Sequence, residues 1–255
     1  MTNRPSVLIT GGARRIGAVM AELFAEAGWH VVIHHRASGA AAEALAARLP
    51  AAETYAADLS DPAAAEIMVD NLAGRLEDWR VLVNSASMFR RDDATLLDPA
   101  INGEAMAVNA ATPALLAQHF LARARSRGGR RVIQVTDQKI ANPNPDFFSY
   151  TMSKHALAST VAMLCMARSD PRDRVYGLAP GAILPSHDQT AAEADASHRL
   201  NLLRRKTGAD EVAAAALFLA HGWLASGQTL FVDSGQHLLA QPRDVIYLAR
   251  EGYRE

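Results

Sequence analysis

A strand, a glycine turn, a helix and a second strand open the chain, and this order restricts the possible folds more than any other feature. The apolar run 6–10 predicts a buried strand, and Gly11 and Gly12 follow it directly. Apolar residues at helical spacing begin at Ile16, and a second strand is predicted at 30–34. Parallel strands joined in this way need a right-handed crossover, so the segment is predicted to be a βαβ unit.

The same alternation of strands and helices continues to residue 232. Helices are predicted at 40–49, 63–76, 105–124, 148–167 and 210–220, and strands at 53–57, 81–83, 132–135, 174–178 and 229–232. Strict alternation of this kind is typical of a parallel sheet that is covered on both faces by helices. No linker composition divides the chain, so we expect an α/β fold with a single domain over residues 1–255.

Composition limits the classes of partner. The chain has 255 residues, a net charge of -1 and 49% hydrophobic residues, which gives no reason to expect nucleic acid or an anionic membrane as a partner. The arginines between 123 and 131 suggest a nucleic-acid patch, but a solvated helix end and loop is favoured.

Cys165 is the single cysteine and is interpreted as a core residue. Residues 1–5 lack the apolar core of a signal peptide, and the apolar run 212–220 is too short to span a membrane, so a cytoplasmic protein is expected.

Two segments interrupt the alternation. The polar segment 184–206 follows the C-terminal end of a strand, and we predict that it closes over a ligand, with helical character near its end. The tail 241–255 is charged and aromatic. It is interpreted as a helix that packs on a neighbouring subunit or on the surface.

The glycine turn suits the pyrophosphate of a dinucleotide, although a plain tight turn is the alternative. Glycines let the backbone approach the ligand, and the helix N-terminus supplies free N–H groups and a positive dipole end. The second strand ends in His34, His35 and Arg36, without the carboxylate that favours NAD. Arg36 suits the 2′-phosphate of NADP, and a solvated arginine is the alternative. Adjacent histidines on a strand point to opposite faces, so no metal site is predicted.

Tyr150 and Lys154 are four residues apart and share one face of the predicted helix. An ammonium near a phenol favours the phenolate, so we expect Lys154 to lower the pKa of Tyr150 from its usual value of about 10. Tyr150 would then donate a proton near neutral pH. Asp137 follows the preceding strand, at the edge of the sheet where ligands gather. The alternative is an ordinary surface tyrosine and lysine.

A set of motifs in a fixed order carries a family resemblance. They are Thr10-Gly11-Gly12-x-x-x-Ile16-Gly17, Asp58-Leu59, Asn84-x-Ala86, Asn109, Tyr150-x-x-x-Lys154 and Pro180-Gly181. Over nearly the whole chain the sequence resembles the short-chain dehydrogenase/reductase family. The resemblance implies a Rossmann-type, doubly wound parallel sheet of about seven strands, and a homo-oligomer, with a tetramer favoured over a dimer.

The resemblance also implies roles for individual residues. NADPH would be bound by Gly11, Arg14, Arg15, Ile16, Gly17, His35, Arg36, Asp58, Leu59, Asn84, Ala86, Tyr150, Lys154, Pro180, Gly181 and Ile183. Asp58 would contact the adenine ring, and Pro180 and Gly181 would shape the nicotinamide pocket. Tyr150 would be the proton donor. Lys154 would lower its pKa and hold the nicotinamide ribose, and Asn109 would anchor a water-linked proton relay to Lys154.

Departures from the usual family pattern narrow the resemblance to one branch. Arg15 replaces a glycine, Ser87 ends the motif that begins at Asn84, and Asp137 stands where the catalytic serine is usual, 13 residues before Tyr150. With His34-His35-Arg36 and Phe89, these residues resemble the pteridine reductase and dihydromonapterin reductase branch. That branch implies that Arg15, Ser87, Phe89, Asp137 and Tyr150 bind a pterin, held between the Phe89 ring and the nicotinamide.

The chemistry of Asp137 favours the same interpretation. A serine donates to the oxygen of a carbonyl as charge develops on it, whereas an ionised Asp137 would repel that charge. A carboxylate suits a substrate with N–H donors and the reduction of C=N, in which Asp137 and Tyr150 act as a coupled proton-delivery pair. The alternatives are a loop cap for Asp137 and a core or rim aromatic for Phe89.

The expected function is therefore an NADPH-dependent reductase that transfers hydride to a C=N bond of dihydromonapterin, dihydrobiopterin or a dihydrofolate-like pterin. The first alternative is a general NADPH-dependent carbonyl or imine reductase of the same family. The second is a non-catalytic NADP-sensing protein, against which Asn109, Tyr150 and Lys154 argue.

Overall fold

The computed structural model describes residues 4–186 and 188–252, and a seven-stranded parallel sheet lies at their centre. The strands are β1 (Ser6–Ile9), β2 (His30–His35), β3 (Ala52–Ala56), β4 (Trp79–Asn84), β5 (Arg131–Val135), β6 (Arg174–Pro180) and β7 (Thr229–Val232). Their order in the sheet is β3-β2-β1-β4-β5-β6-β7. The order reverses direction between β1 and β4, and a crevice opens there at the C-terminal ends of the strands. The predicted doubly wound α/β fold is confirmed.

Helices cover both faces of the sheet. They are α1 (Arg15–Glu26), α2 (Gly39–Ala46), α3 (Pro62–Arg75), α4 (Pro99–Met106), α5 (Thr112–Arg123), α6 (Phe148–Ala167), α7 (Ala191–Ser197), α8 (Ala209–His221) and α9 (Val245–Arg250). One apolar core joins the sheet to α1, α2 and α8, and a second core joins the other face to α3, α5 and α6. The termini of α1 and α6 are thereby fixed against the crevice between β1, β4 and β5.

The helix predicted at 105–124 is divided and begins earlier. Asp98 accepts hydrogen bonds from the amides of Ala100 and Ile101, and Pro99 occupies the first turn, which starts α4 at residue 99. A π-helical turn, Ala107–Ala111, separates α4 from α5. Turns of this type are frequent at functional sites, and this one contains Asn109.

The prediction of helical character near the end of 184–206 is wrong. The helix of this segment is α7, in its middle, and Thr190 and Glu193 form a capping box that starts it there. Residues 198–206 form turns instead.

The tail contains a helix, as predicted, and this helix packs on the surface of its own chain, which is one of the two predicted places. Its helix α9 packs on its own chain against α7, with Val245, Ile246 and Leu248 buried. These apolar side chains pack against their own chain beside the crevice, so their burial does not require a neighbouring subunit. Residues 253–255 of the predicted tail lie outside the described residues.

Candidate active site

A cleft of about 550 Å³ lies at the C-terminal ends of the central strands. Most of the predicted site residues line it: Gly11, Arg14, Arg15, Ile16, Gly17, Ala86, Ser87, Phe89, Asp137, Tyr150, Lys154, Pro180, Gly181 and Ile183. They come from the loops after β1, β4, β5 and β6 and from the start of α6. The fold therefore brings the predicted cofactor and substrate residues together along one continuous wall.

The remaining predicted residues lie outside the lining of the cleft. Asn84 is buried at the end of β4, where its amide donates to the Pro113 carbonyl and to Gln134. Leu59 is 4% exposed and belongs to the core, so only its backbone is available to a cofactor.

His35, Arg36 and Asp58 lie at the ends of β2 and β3, beyond the glycine turn. The Asp58 carboxylate accepts hydrogen bonds from the amide and hydroxyl of Ser60, which lower its pKa. Asp58 is therefore ionised at neutral pH and already engaged in its own turn, while the side chain of Arg36 is exposed.

The glycine turn depends on a left-handed backbone at Gly11 and on a close backbone approach at Gly17. Gly11 has φ +66, and a Cβ on Gly17 would lie 2.4 Å from the Gly11 carbonyl oxygen. Arg15 also adopts a left-handed conformation, with φ 55, and its guanidinium donates to the carbonyls of Leu184 and Pro185. The start of α1 is thus tied to the predicted closing segment.

Two residues fix this turn without having been predicted to do so. The Thr10 hydroxyl accepts from the amides of Ser85 and Ala86, at 2.9 and 3.0 Å, and so joins the ends of β1 and β4. His34 Nδ1 accepts from the Gly11 amide at 3.1 Å, and its Nε2 donates to the Ala57 carbonyl. Burial lowers the pKa of His34 to about 4, so the ring is neutral at neutral pH and can make both bonds.

Asp137 and Tyr150 form a short hydrogen bond in the cleft wall. The Tyr150 hydroxyl donates to Asp137 Oδ2 at 2.6 Å, and Asp137 Oδ1 accepts from the Lys139 amide at 2.9 Å. Asp137 is thus also the loop cap considered from the sequence. Although it keeps some exposure to the cleft, enclosure by protein raises its pKa, because burial disfavours the charged carboxylate.

The expected lowering of the Tyr150 pKa is wrong for this structure. Burial and the neighbouring Asp137 carboxylate raise the pKa of Tyr150 well above its usual value. The Lys154 ammonium lies 5.6 Å from the Tyr150 ring centroid and donates to the Val135 carbonyl at 2.8 Å. Burial lowers the pKa of Lys154 to about 8. Tyr150 is therefore a phenol that holds its proton tightly, hydrogen-bonded to a carboxylate.

Asn109 is fully buried and joins the loop after β4 to α6. Its Oδ1 accepts from the Met88 amide at 2.7 Å, while its Nδ2 donates to the Met88 carbonyl at 2.9 Å and to the Ser153 hydroxyl at 3.0 Å. The contact fixes the loop that carries Ser87 and Phe89 against the helix that carries Tyr150. The proton-relay role implied for Asn109 stays a prediction.

An aromatic cluster forms one side of the cleft where the predicted substrate residues Ser87, Phe89, Asp137 and Tyr150 lie, which is called the substrate end below. The rings of Phe89 and Phe147 stack with centroids 4.1 Å apart, and Tyr150 meets Phe89 edge-on at 4.7 Å. Phe147, which was not predicted, has φ 54 and caps the start of α6. Ile246 of α9 packs against the same cluster. One face of Phe89 is thus covered by Phe147.

Buried charges hold the tail against this cluster. Lys139 Nζ lies 2.8 Å from Asp244 Oδ2, and the two side chains are 4% and 9% exposed. Asp244 also accepts from the Ile246 amide at the start of α9. Arg243 pairs with Asp146 at 2.8 Å. These contacts place Ile246 in the cleft wall, a role for the tail that no spacing in the sequence indicates.

Residues 4–186 and 188–252 contain no cluster of three or more side chains arranged to hold a metal ion. In the same part of the chain, no helix has the length and apolar character needed to cross a membrane.

Comparisons with known proteins agree with the geometry. A family model described as enoyl-(acyl carrier protein) reductase matches residues 11–237. The crystal structure of FolM alternative dihydrofolate reductase 1 from Brucella suis, in complex with NADP, is 34% identical with a TM-score of 0.87, covering 94% of this chain and 97% of that one. Pteridine reductase 1 of Leishmania tarentolae is 28% identical and covers 92% of this chain and 96% of that protein. D-threitol dehydrogenase of Mycolicibacterium smegmatis is 29% identical, with coverage of 89% and 91%.

Proposed function

The chain belongs to the short-chain dehydrogenase/reductase family, and we propose that within it this protein is an NADPH-dependent reductase of a C=N bond in a pterin. The hydrogen bond of 2.6 Å between Tyr150 and Asp137 carries this proposal. The serine usual in this family stabilises a carbonyl oxygen by donating a hydrogen bond to it, whereas a carboxyl group at position 137 can accept from an N–H group and, when it is protonated, can deliver a proton. An imine-type nitrogen in a ring with N–H groups fits such a pair better.

The cofactor end of the cleft suits NADP(H). The FolM structure from Brucella suis contains NADP, and in this chain Gly11 and Gly17 allow close approach of the backbone. Arg14 and Arg15 stand at the start of α1, where anions are stabilised. Arg36 directly follows β2, where the sequence has no acid, and it suits a 2′-phosphate. Asp58 lies close enough for the Arg36 charge to lower its pKa. When bound, NADPH supplies the hydride.

Asp137 and Tyr150 would supply the proton. Reduction of C=N adds hydride to carbon and a proton to nitrogen, which gives CH–NH. If the pair holds two protons before the reaction, it can release one and return to the Tyr150–Asp137 hydrogen bond present in the structure. The raised pKa of Asp137 favours this doubly protonated state, and buried Lys154 offsets the charge that remains.

The substrate end would hold a flat ring. The Phe89 ring lines the cleft beside Ser87, and Phe147 supports it from behind at 4.1 Å. Its uncovered face is available for stacking on a planar substrate. Segment 184–206 would close the cleft. Arg15 bonds to its first residues, and Arg250 of α9 pairs with Glu193 of α7 at 2.8 Å, so the tail and the closing segment would move together.

The test is NADPH oxidation with dihydromonapterin, dihydrobiopterin and dihydrofolate, measured beside a panel of ketones. We expect turnover of at least one dihydropterin and a loss of about 10²-fold or more in Tyr150→Phe, which removes the proton donor. Tyr55→Phe changes a tyrosine of β3 outside the cleft and is the matched control. Turnover of ketones alone would replace this proposal with a general carbonyl reductase, the function class suggested by the similarity to D-threitol dehydrogenase.

A further inference from the structure

Gln138 has hydrogen-bonding capacity that the protein does not use. The residue follows Asp137, lines the cleft and is only 3% exposed. Its carboxamide oxygen is buried and has no hydrogen-bond partner among residues 4–186 and 188–252. Buried polar groups are nearly always satisfied, so an unpartnered acceptor in the wall of a ligand cleft indicates that the ligand supplies the missing donor.

His198, from a distant part of the chain, contributes a second polar side chain to the cleft wall. It follows α7, lines the same cleft and is 5% exposed. The hydrogen bonds of His198 within the described part of the chain are made by its backbone, whose amide donates to the Ala194 carbonyl and whose carbonyl accepts from Asn201, so its ring is available to a ligand. Burial lowers its pKa, so the ring is neutral at neutral pH and carries one donor and one acceptor.

Gln241 joins the two turns that carry these residues. Its carboxamide donates to the Leu200 carbonyl at 2.8 Å, and its backbone amide donates to Asn142 Oδ1 at 3.3 Å. The Asn142 amide in turn donates to the Gln138 carbonyl at 3.2 Å. Gln138 and His198 therefore lie on walls of the cleft that are tied to each other.

The other glutamines of the cleft differ from Gln138 because they are used within the protein. Gln236 Oε1 accepts from the Ala182 amide at 3.0 Å. Gln189 accepts from the Ser186 amide and donates to the Ser197 hydroxyl. These residues stabilise the cleft wall, whereas Gln138 and His198 are free to bind a ligand.

We propose that Gln138 and His198 bind the side chain of the pterin, and that this side chain is uncharged and hydroxylated. The inference rests on the proposed function and names the substrate class for it. The Gln138 oxygen requires a donor, and a hydroxyl group can donate to it and also exchange hydrogen bonds with a neutral imidazole.

Charge argues against an anionic side chain at this place. Lys139 is the cation nearest in sequence to Gln138, and it is already paired with Asp244 at 2.8 Å. Among the described residues of the closing segment and tail that line the cleft, none is a lysine or an arginine. A carboxylate would lose its hydration without gaining a partner, so a glutamate-bearing pterin is disfavoured.

The test compares two dihydropterins with the same ring: dihydromonapterin, whose side chain carries hydroxyl groups, and a methyl-substituted dihydropterin. Gln138→Met keeps the volume and removes the acceptor. We expect it to raise the KM for dihydromonapterin about tenfold and to leave the KM for the methyl compound and for NADPH within about twofold. His198→Leu is expected to act in the same direction, and it provides a second variant should Gln138→Met not fold. Gln118→Met, on the exposed side of α5, is the matched control.

The outcomes separate this inference from the proposed function. Equal changes in KM for the two substrates, or no change in either variant, would overturn the subsite and leave pterin reduction intact. Wild-type preference for dihydrofolate over dihydromonapterin would overturn it as well. Absence of turnover with every pterin, beside normal ketone turnover, would remove the proposed function and the subsite together.

Discussion

The two ends of the cleft are held in place by different kinds of contact. At the cofactor end the contacts are short and uncharged: the Gly11 amide meets His34 at 3.1 Å, and the Thr10 hydroxyl holds the end of β4. At the substrate end the contacts are ionic and aromatic, with Lys139 paired to Asp244 beneath the phenylalanine cluster.

Both ends contain contacts between distant parts of the chain. At the cofactor end the Ser85 amide donates to the Thr10 hydroxyl across 75 residues, and at the substrate end the hydrogen bonds from Arg243 to Asp146 span 97 residues, so the two ends differ in charge rather than in range. Neutral contacts depend on backbone geometry. A buried ion pair depends on both partners, because the loss of one leaves an uncompensated charge. The cofactor end is therefore expected to tolerate changes of charge that the substrate end does not.

The largest expected effect concerns the charge at Asp137. Asp137→Asn should lower kcat with a dihydropterin about a hundredfold or more, because the coupled proton donor is lost, while the KM for NADPH stays nearly unchanged. In the wild type, burial raises the pKa of Asp137, and the pair must hold the proton that it delivers. Hence kcat should fall as pH rises through that raised pKa. A pH–rate profile of Asp137→Asn identical to the wild type would contradict this, and Asp70→Asn, exposed on α3, is the control.

The next largest effect is expected from the buried ion pair of the substrate end. Lys139→Met leaves Asp244 buried without its partner, which should cost about 3–5 kcal/mol of unfolding free energy in urea. Adding Asp244→Asn should recover much of this, because asparagine still caps α9. Lys206→Met breaks an exposed pair with Asp195 and should cost far less. Equal stability of the Lys139 and Lys206 variants would show that the tail is not held by charge.

The features that the sequence could predict depend on local patterns. The sheet, most helices and the glycine turn follow from patterns within a few turns of chain: alternating strands and helices, Gly11, Gly17 and the caps. The start of α4 at residue 99 had its own local signal in Asp98-Pro99, which the apolar periodicity concealed.

The parts that were not predicted depend on tertiary contacts. Phe147 takes its role from its left-handed backbone and from Phe89, 58 residues earlier, and neither has a spacing signal. Lys139 and α9 meet only because two distant loops converge. The raised pKa of Tyr150 reverses the expectation from Tyr-x-x-x-Lys because burial and Asp137 outweigh Lys154. The homo-oligomer stays a prediction.

A third effect tests the neutral contacts of the cofactor end. The pKa of His34 is about 4 in the folded protein and about 6.5 unfolded, so its contribution is complete above pH 6.5 and is lost as pH falls towards 4. The loss should approach roughly 3 kcal/mol of unfolding free energy. His34→Asn keeps an acceptor for the Gly11 amide but does not titrate. Its stability should therefore fall less than that of the wild type over this range, and parallel curves for the two proteins would refute the assignment.

A smaller effect is expected at the outer part of the cofactor end. Arg36→Ala removes the exposed cation at the end of β2 and should raise the KM for NADPH about tenfold, with little change for NADH. Arg48→Ala, an exposed arginine that pairs with Glu22, is the matched control. Equal changes in the KM of both cofactors would mean that Arg36 does not recognise the 2′-phosphate.

The smallest effect returns to the substrate end and isolates its aromatic contact from its charges. Phe89→Leu keeps an apolar side chain on Phe147 but removes the flat face, and stacking contributes about 0.5–1.5 kcal/mol. The KM for a dihydropterin should therefore rise by roughly two- to tenfold, while the KM for NADPH and the pH dependence of kcat stay as in the wild type. If Phe89→Leu instead changed the pH profile, the edge-on contact with Tyr150 would be part of the proton-delivery pair. The aromatic and ionic contacts of this end would then act as one unit.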